Sequence, residues 1–255
     1  MNESRNEPAE MKLAPKAVVG RMSLYLRQLE AFQRQGRTTI SSSQLGEPLS
    51  IKNAQVRKDL AYFGQFGHPG IGYRIDELIQ TLRQILGIDK DWPLVLVGLG
   101  NLGRALLKYR GFRARGFQIV AILDCDPRKV GQVHEGLKVE PIESVCQVVK
   151  SHAICLALLC VPADAAQRVA DQLIAGGIRG ILNFAPVPLL VPPFANVVPV
   201  DLSVQLEHLA YKVKKTAEGL SSMGSTSRPL DGSLLPMAFS LDGRSGVGEA
   251  SRRSS

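Results

Sequence analysis

Gly98, Gly100 and Gly103, in the stretch GLGNLG, have the spacing needed to hold a diphosphate. Glycine at the first position permits a tight turn, at the second it lets backbone approach a pyrophosphate, and at the third it lets a helix pack closely on a strand. The motif alone is common, but its surroundings sharpen it. It follows the apolar run PLVLV and opens a helix-like stretch, and Asp124 ends a second apolar run, FQIVAILD, 21 residues beyond Gly103. Gly98, Leu99, Gly100, Asn101, Leu102 and Gly103 then form a candidate dinucleotide cradle, with helix-opening amides toward the phosphates. Asp124 is the candidate acceptor for ribose hydroxyls. An acid there repels a 2′-phosphate, so NAD(H) is the expected ligand, while Arg128 and Lys129 pull slightly the other way. A glycine turn without a ligand is the alternative.

A second constellation lies upstream. VRKDLAYFG, residues 56–64, carries two adjacent cations and two aromatics after a serine-led helical stretch. The formal net charge of +8 is concentrated there. Residues 11–75 hold ten Lys/Arg against three Asp/Glu, whereas residues 76–218 hold sixteen against fourteen. A basic head on a nearly neutral body suits a polyanion. Lys52, Gln55, Arg57, Lys58 and Tyr62 are the candidate DNA contacts. The plainer reading is a solubilising charge excess on a surface helix.

These residues need elements to position them. Val18, Met22, Tyr25, Leu29 and Phe32 recur at helical spacing, and Gly36 stops that helix. Ser41 can cap a short second helix, Glu47-Pro48 makes a turn, and Ser50 can cap a third, IKNAQVRKDLAYF, with Val56, Leu60 and Phe63 on one face. That is a helix-turn-helix. GQFGHPGIGYR, residues 64–74, suits a β-hairpin "wing", and Asp76 opens a further helix ended by Gly87. Past Trp92-Pro93, apolar runs alternate with helical segments as far as NVVPVD, the pattern of a parallel α/β sheet. A last helix, SVQLEHLAYKVKK, carries Leu206, Leu209 and Val213 on one side. The expected fold class is α/β: a winged helix-turn-helix domain over 17–87, a Rossmann-type domain over 92–201, and a C-terminal helix over 202–217. Residues 1–16 and 218–255 are expected to be flexible and disordered.

Other classes fare worse. Cys125, Cys146, Cys155 and Cys160 form no CxxC pair, so buried reduced thiols and no metal site are expected. The opening MNESRNEPAEMKLAP lacks an apolar signal core, and AICLALLCV is too short to cross a bilayer. A cytoplasmic protein without a membrane partner is expected. A hydride-transfer enzyme needs a proton donor beside the nicotinamide. Tyr211 and Lys215 have a YxxxK spacing, but they follow all the strands, and an interface or solvated helix face is the plainer reading. An oxidoreductase with an appended interaction domain is the rival class; a repressor for another nucleotide, such as a coenzyme A derivative, is a third.

The runs RMSLYLRQLE, QVRKDLAYFGQFGHPGIGY, LVGLGNLGRAL, LDCDPRKVG, GIRGILNFAPV and VPVDLSVQLEHL resemble, in order and spacing, Rex, the bacterial redox-sensing transcriptional repressors. The resemblance spans roughly residues 15–217. It implies a homodimer that exchanges its C-terminal helix, residues 203–216, between subunits, and a palindromic double-stranded operator that NADH releases. It further implies a partner-exchange switch built from Arg27, Tyr109 and Asp201, with Tyr109 at the cofactor as well. By residue type alone Arg27 is a solvated charge, Tyr109 a packing residue and Asp201 a helix cap. Cys125, between Asp124 and Asp126, could add thiol sensitivity or be an inert turn cysteine. The segment after Gly219 has no counterpart in the family core.

Overall fold

The structure, a computed structural model, describes residues 14–223. The chain divides into two bodies, one ending at Asp201 and one beginning at Leu202.

The first body opens with α1 (Lys16–Arg34), whose inward face is Met22, Tyr25, Leu26, Leu29 and Phe32. β1 (Thr39–Ile40) leads into α2 (Ser42–Gly46), where Ser41 makes the expected cap as one half of a capping box with Gln44. A short 3-10 turn, Glu47–Leu49, connects to α3 (Asn53–Ala61). Ser50 does not cap α3. Its backbone is left-handed, at φ 55°, and its amide closes the turn on Glu47. The helix therefore starts two residues later than expected, with Lys52 at the cap position. Gly46 is what lets this turn close, because a Cβ there would collide with the carbonyl of Ile51.

The wing also differs from expectation. The glycine-rich stretch folds into a small turn closed by His68 and Gly72, which exchange backbone bonds of 2.7 and 3.0 Å. The following strand, β2 (Tyr73–Arg74), pairs antiparallel with β1 rather than with the other arm of a hairpin. α4 (Ile75–Ile85) begins one residue before Asp76 and completes a core with α1, α2 and α3.

The remainder is a seven-stranded sheet. β3 (Trp92–Val97), β4 (Phe117–Asp124), β7 (Leu156–Leu159), β8 (Gly180–Asn183) and β9 (Asn196–Pro199) are parallel, and β6 (Leu137–Pro141) joins β4 in parallel as well. The order is β5-β6-β4-β3-β7-β8-β9, so the chain reverses direction across the sheet between β3 and β7. β5 (Val133–His134) makes an antiparallel edge hairpin with β6; neither was foreseen, since so short a run carries no periodicity. Side chains alternate between two cores, as a sheet covered on both faces requires. Val95, Val97, Ala157 and Leu159 pack under α7 (Val145–Ser151) and α8 (Ala163–Gly176), and Leu94, Leu96 and Leu158 lie on the opposite face.

That opposite face carries α5 (Asn101–Leu107), the helix expected to open at about residue 101, and α6 (Arg110–Arg113), separated from it at Tyr109, whose backbone is extended. An apolar groove of about 540 Å³ runs beside them over Leu156, Leu158, Leu182 and Val198. Glu30 of α1 ties the head to the sheet body: it accepts from Arg83 of α4 at 3.0 Å and from Arg115, just before β4, at 2.7 Å.

The second body holds α9 (Leu202–Met223), which runs six residues past the expected end at 217. Leu206, Leu209 and Val213 on it are more than half exposed. The flexible segments expected at 1–16 and 218–255 lie mostly outside the described residues; Lys16 and residues 218–223 are helical.

Candidate functional site

The glycine loop leaves β3 where β4 and β7 flank it, and it has little room to turn. Val97 pairs with Leu123 on one side and Leu159 on the other. Gly98 takes φ 91°, and a Cβ on it would strike the carbonyl of Cys160 at the end of β7. A Cβ on Gly103 would strike the carbonyl of Gly98, so these two glycines seat α5 on the strand. Gly100 is different. A Cβ there meets nothing within 4 Å, so the space above it is free for a group that needs close backbone approach.

That space belongs to a cavity of about 450 Å³ lined by Gly98, Gly100, Asn101, Leu102 and Asp124 from the expected set. Val161 and Pro162 after β7, and Arg168 and Gln172 of α8, close the far wall. The cavity opens at the carboxyl ends of the strands, at the point where the strand order reverses, the usual ligand position in such sheets. The far wall was missed because its residues lie some 60 residues downstream and share no motif with the loop. Only the topology brings them together. Cys160 also lines the cavity, and burial pushes its thiol up to about 12, so it is no thiolate at neutral pH.

Asp124 ends β4 as expected but faces inward. It is 5% exposed, and its carboxylate accepts from the amide of Leu99 at 2.7 Å, the amide of Asp126 at 2.8 Å and Lys129 Nζ at 3.0 Å. Burial opposes its charge, yet these bonds hold the carboxyl below the usual range. Its first service is to pin the loop through Leu99, whose side chain is core and whose amide is the part that matters. The more accessible acid is Asp126, which Arg128 holds down to about 2 with paired bonds of 3.0 Å. Because the carboxyl of Asp124 is depressed, its contribution is complete above the ordinary carboxylate value, about 4, and is lost as pH falls through its own lower value.

Tyr109 does not line this cavity. Its ring covers Gly111, meets Phe112 edge-on at 5.0 Å, and lines the apolar groove together with Arg27. Arg27 and Tyr109, both exposed, are thus brought to one place, while Asp201 is an exposed residue just before α9. The four cysteines are unpaired; Cys125 and Cys146 are exposed and Cys155 and Cys160 half-buried, not the buried set expected, because the last two flank β7 rather than lie within it.

On α3 the outward face is Ala54, Arg57, Lys58 and Ala61, all exposed. Arg57 leans on Ser42 of α2 at 3.2 Å, Lys52 and Lys58 are exposed cations, and Tyr62 is half exposed against the edge of Phe63. Gln55 departs from the expected surface: its amide turns sideways and donates to Asp59 at 2.7 Å. Two adjacent cations flanked by two small alanines make a low, basic ridge of the kind a groove of a duplex accepts.

Comparison with known proteins adds to this geometry. A family model described as "CoA binding domain" matches residues 89–187, and one described as "Putative DNA-binding protein N-terminus" matches residues 14–61. The redox-sensing transcriptional repressor Rex of Desulfitobacterium hafniense is 46% identical over 199 residues, 78% of this chain and 95% of that protein. The chain belongs to the Rex family. Rex of Pelotomaculum thermopropionicum is also 46% identical, over 78% of this chain and 93% of its own length. The crystal structure of RSP, a Rex-family repressor, in complex with beta-NAD+ and operator DNA has a TM-score of 0.76 at 35% identity, covering 84% of this chain and 99% of that one. RSP in complex with beta-NADH gives 0.74 at 33% identity, covering 82% and 98%. The Rex fold of these relatives is the winged head and Rossmann-like sheet described above. Among the described residues no helix is long and apolar enough to cross a membrane, and no group of three or more His, Cys, Asp and Glu could hold a metal.

The open space at Gly100 gives a clean test of the cradle. Gly100→Val should fold with a Tm close to that of the wild type, since a Cβ there meets no protein atom within 4 Å, and should lose at least tenfold in NADH affinity by fluorescence titration. A variant that binds NADH like the wild type would move the pyrophosphate elsewhere.

Proposed function

We propose that this chain is a DNA-binding transcriptional repressor that reads the NADH/NAD+ ratio. The observation that carries the reading is one body holding both a basic helix-turn-helix ridge and a dinucleotide cavity at a strand-order reversal. A Rex-family repressor solved with beta-NAD+ and operator DNA matches that body over nearly its whole length. Rex-family proteins are regulators rather than catalysts, and Tyr211 and Lys215 here stand exposed on α9. NAD(H) is the cofactor: Gly98, Leu99, Gly100, Asn101, Leu102 and Gly103 hold the diphosphate, and Asp124 fixes the loop that does so.

The protein acts as a homodimer on double-stranded DNA in the cytoplasm, with no membrane or metal partner. Two copies of α3 related by a two-fold axis call for a palindromic operator with half-sites about one helical turn apart, roughly 34–36 Å. Lys52, Arg57, Lys58 and Tyr62 make the contacts, with Gln55 at the ridge's flank. α9 presents its apolar side to the partner subunit's Rossmann domain, and Arg27, Tyr109 and Asp201 exchange partners as the subunits turn. The NADH-bound dimer withdraws the two ridges from the operator. For that to happen, the released arrangement must bind NADH better than the DNA-bound one.

The test is retention of a random duplex pool by the purified protein with NADH, with NAD+ and with neither. Palindromes enriched without NADH and lost with it are expected; selection indifferent to NADH would remove the redox sensor, and no selection would remove the repressor. Lys58→Ala should weaken operator binding and lower its log-log salt slope by about 1, with NADH affinity of the DNA-free protein unchanged. Intact operator binding by this variant would move the reading surface off α3.

A further inference from the structure

α3 carries a single acid, Asp59, on a nine-residue helix whose outer face is basic. A carboxylate beside phosphates would repel them, and Asp59 avoids this by turning inward, where it is 2% exposed. Four donors from three side chains meet it there. Arg21 of α1 donates through Nε at 2.5 Å and through a terminal nitrogen at 2.8 Å, Tyr25 Oη donates at 2.9 Å, and Gln55 Nε2 donates at 2.7 Å. Burial opposes the charge on Asp59, but the bonds from Arg21, Gln55 and Tyr25 hold its carboxyl below the usual range, so it is ionised at neutral pH.

Stability alone does not explain such a cluster. Replacing a buried ion pair by apolar side chains of similar volume is often neutral or stabilising. Asp59 shares the buried face of α3 with Val56 and Leu60, while the Arg21 side chain stays 26% exposed at the rim. What apolar packing lacks is direction. A rotation of α3 by about 20° would carry atoms at the helix rim, roughly 5–6 Å from the axis, by about 2 Å, beyond the tolerance of a hydrogen bond to a base edge. Bonds to both oxygens of one carboxylate forbid that rotation. An ionised carboxylate accepts only, so Gln55 must meet it with its NH2 group, which leaves the carbonyl oxygen of Gln55 as the outer acceptor.

We propose that Asp59 is a positioning residue for base reading: through Arg21 and Tyr25 it sets the rotation of α3 on α1, and through Gln55 it fixes the sense of that amide. The inference rests on α3 being the DNA-reading helix.

The paired change Arg21→Met with Asp59→Leu keeps the net charge and fills the same space. Its affinities for an operator duplex recovered by selection and for a random duplex of equal length are compared with those of the wild type, alongside Tm. The expected result is a Tm equal to or above the wild type, random-duplex affinity and salt slope unchanged, and the operator-over-random ratio lowered at least tenfold. Tyr25→Phe, which removes one donor and leaves the ion pair, should lower that ratio by a smaller factor, and it carries the test should the double variant not fold. A folded variant with the wild-type ratio would overturn the proposal. So would a fall of both affinities in step with a lower Tm, which would make Asp59 a stabilising residue only. A wild-type protein that does not discriminate between the duplexes would reject the reading of α3, and this inference with it.

Discussion

The close approach of β3 to β7 constrains the rest of the cofactor end. Where the sheet order reverses, the backbone of Gly98 lies against the carbonyl of Cys160, and the carbonyl of Gly98 lies against Gly103. Side chains at either glycine would force the strands or the helix apart. The loop so formed is then held from below by the Asp124 carboxylate on the amide of Leu99. Only Gly100, between the two contacts, is left with open space above it, and the cavity walls follow from that arrangement. Geometry at one crossing of three strands thus decides where a diphosphate can sit.

The head and the sheet body share α1. Its inner face is the core of the helix-turn-helix, Arg21 and Tyr25 hold α3 through Asp59, and Glu30 holds Arg115 just before β4. Arg27, between these two attachments, lines the apolar groove beside Tyr109. α1 is therefore bonded both to α3, which carries the basic ridge, and to the sheet body. Packed interfaces of this kind switch between discrete arrangements rather than deforming smoothly.

Much of this was legible in the sequence, and the exceptions share a cause. The glycine loop, the strand-helix alternation and the capped second helix depend on neighbours within a few residues, so local spacing revealed them. Asp124 was found by its spacing, but its inward direction was not, because the donors that capture it include a loop amide 25 residues away. The far wall of the cavity, the β1–β2 pair and the grip of Arg21 on Asp59 across 38 positions are long-range contacts that no local pattern encodes. Ser50 misled for a related reason: its capping chemistry is real, but the turn after α2 places it in a left-handed conformation instead. The short α6 after Tyr109 and the extra turns of α9 concern element boundaries, the least legible part of any pattern.

A repressor released by NADH requires that its dinucleotide site and its operator-binding surface be energetically linked. Linkage is reciprocal, so whatever NADH does to operator affinity, the operator must do to NADH affinity. The most direct measurement is the NADH dissociation constant of the purified protein with and without saturating operator duplex. A coupling of about 1–3 kcal/mol predicts NADH binding weakened about 5- to 150-fold on the operator. Equal NADH affinity in the two conditions would contradict the account, however well each site binds its own ligand.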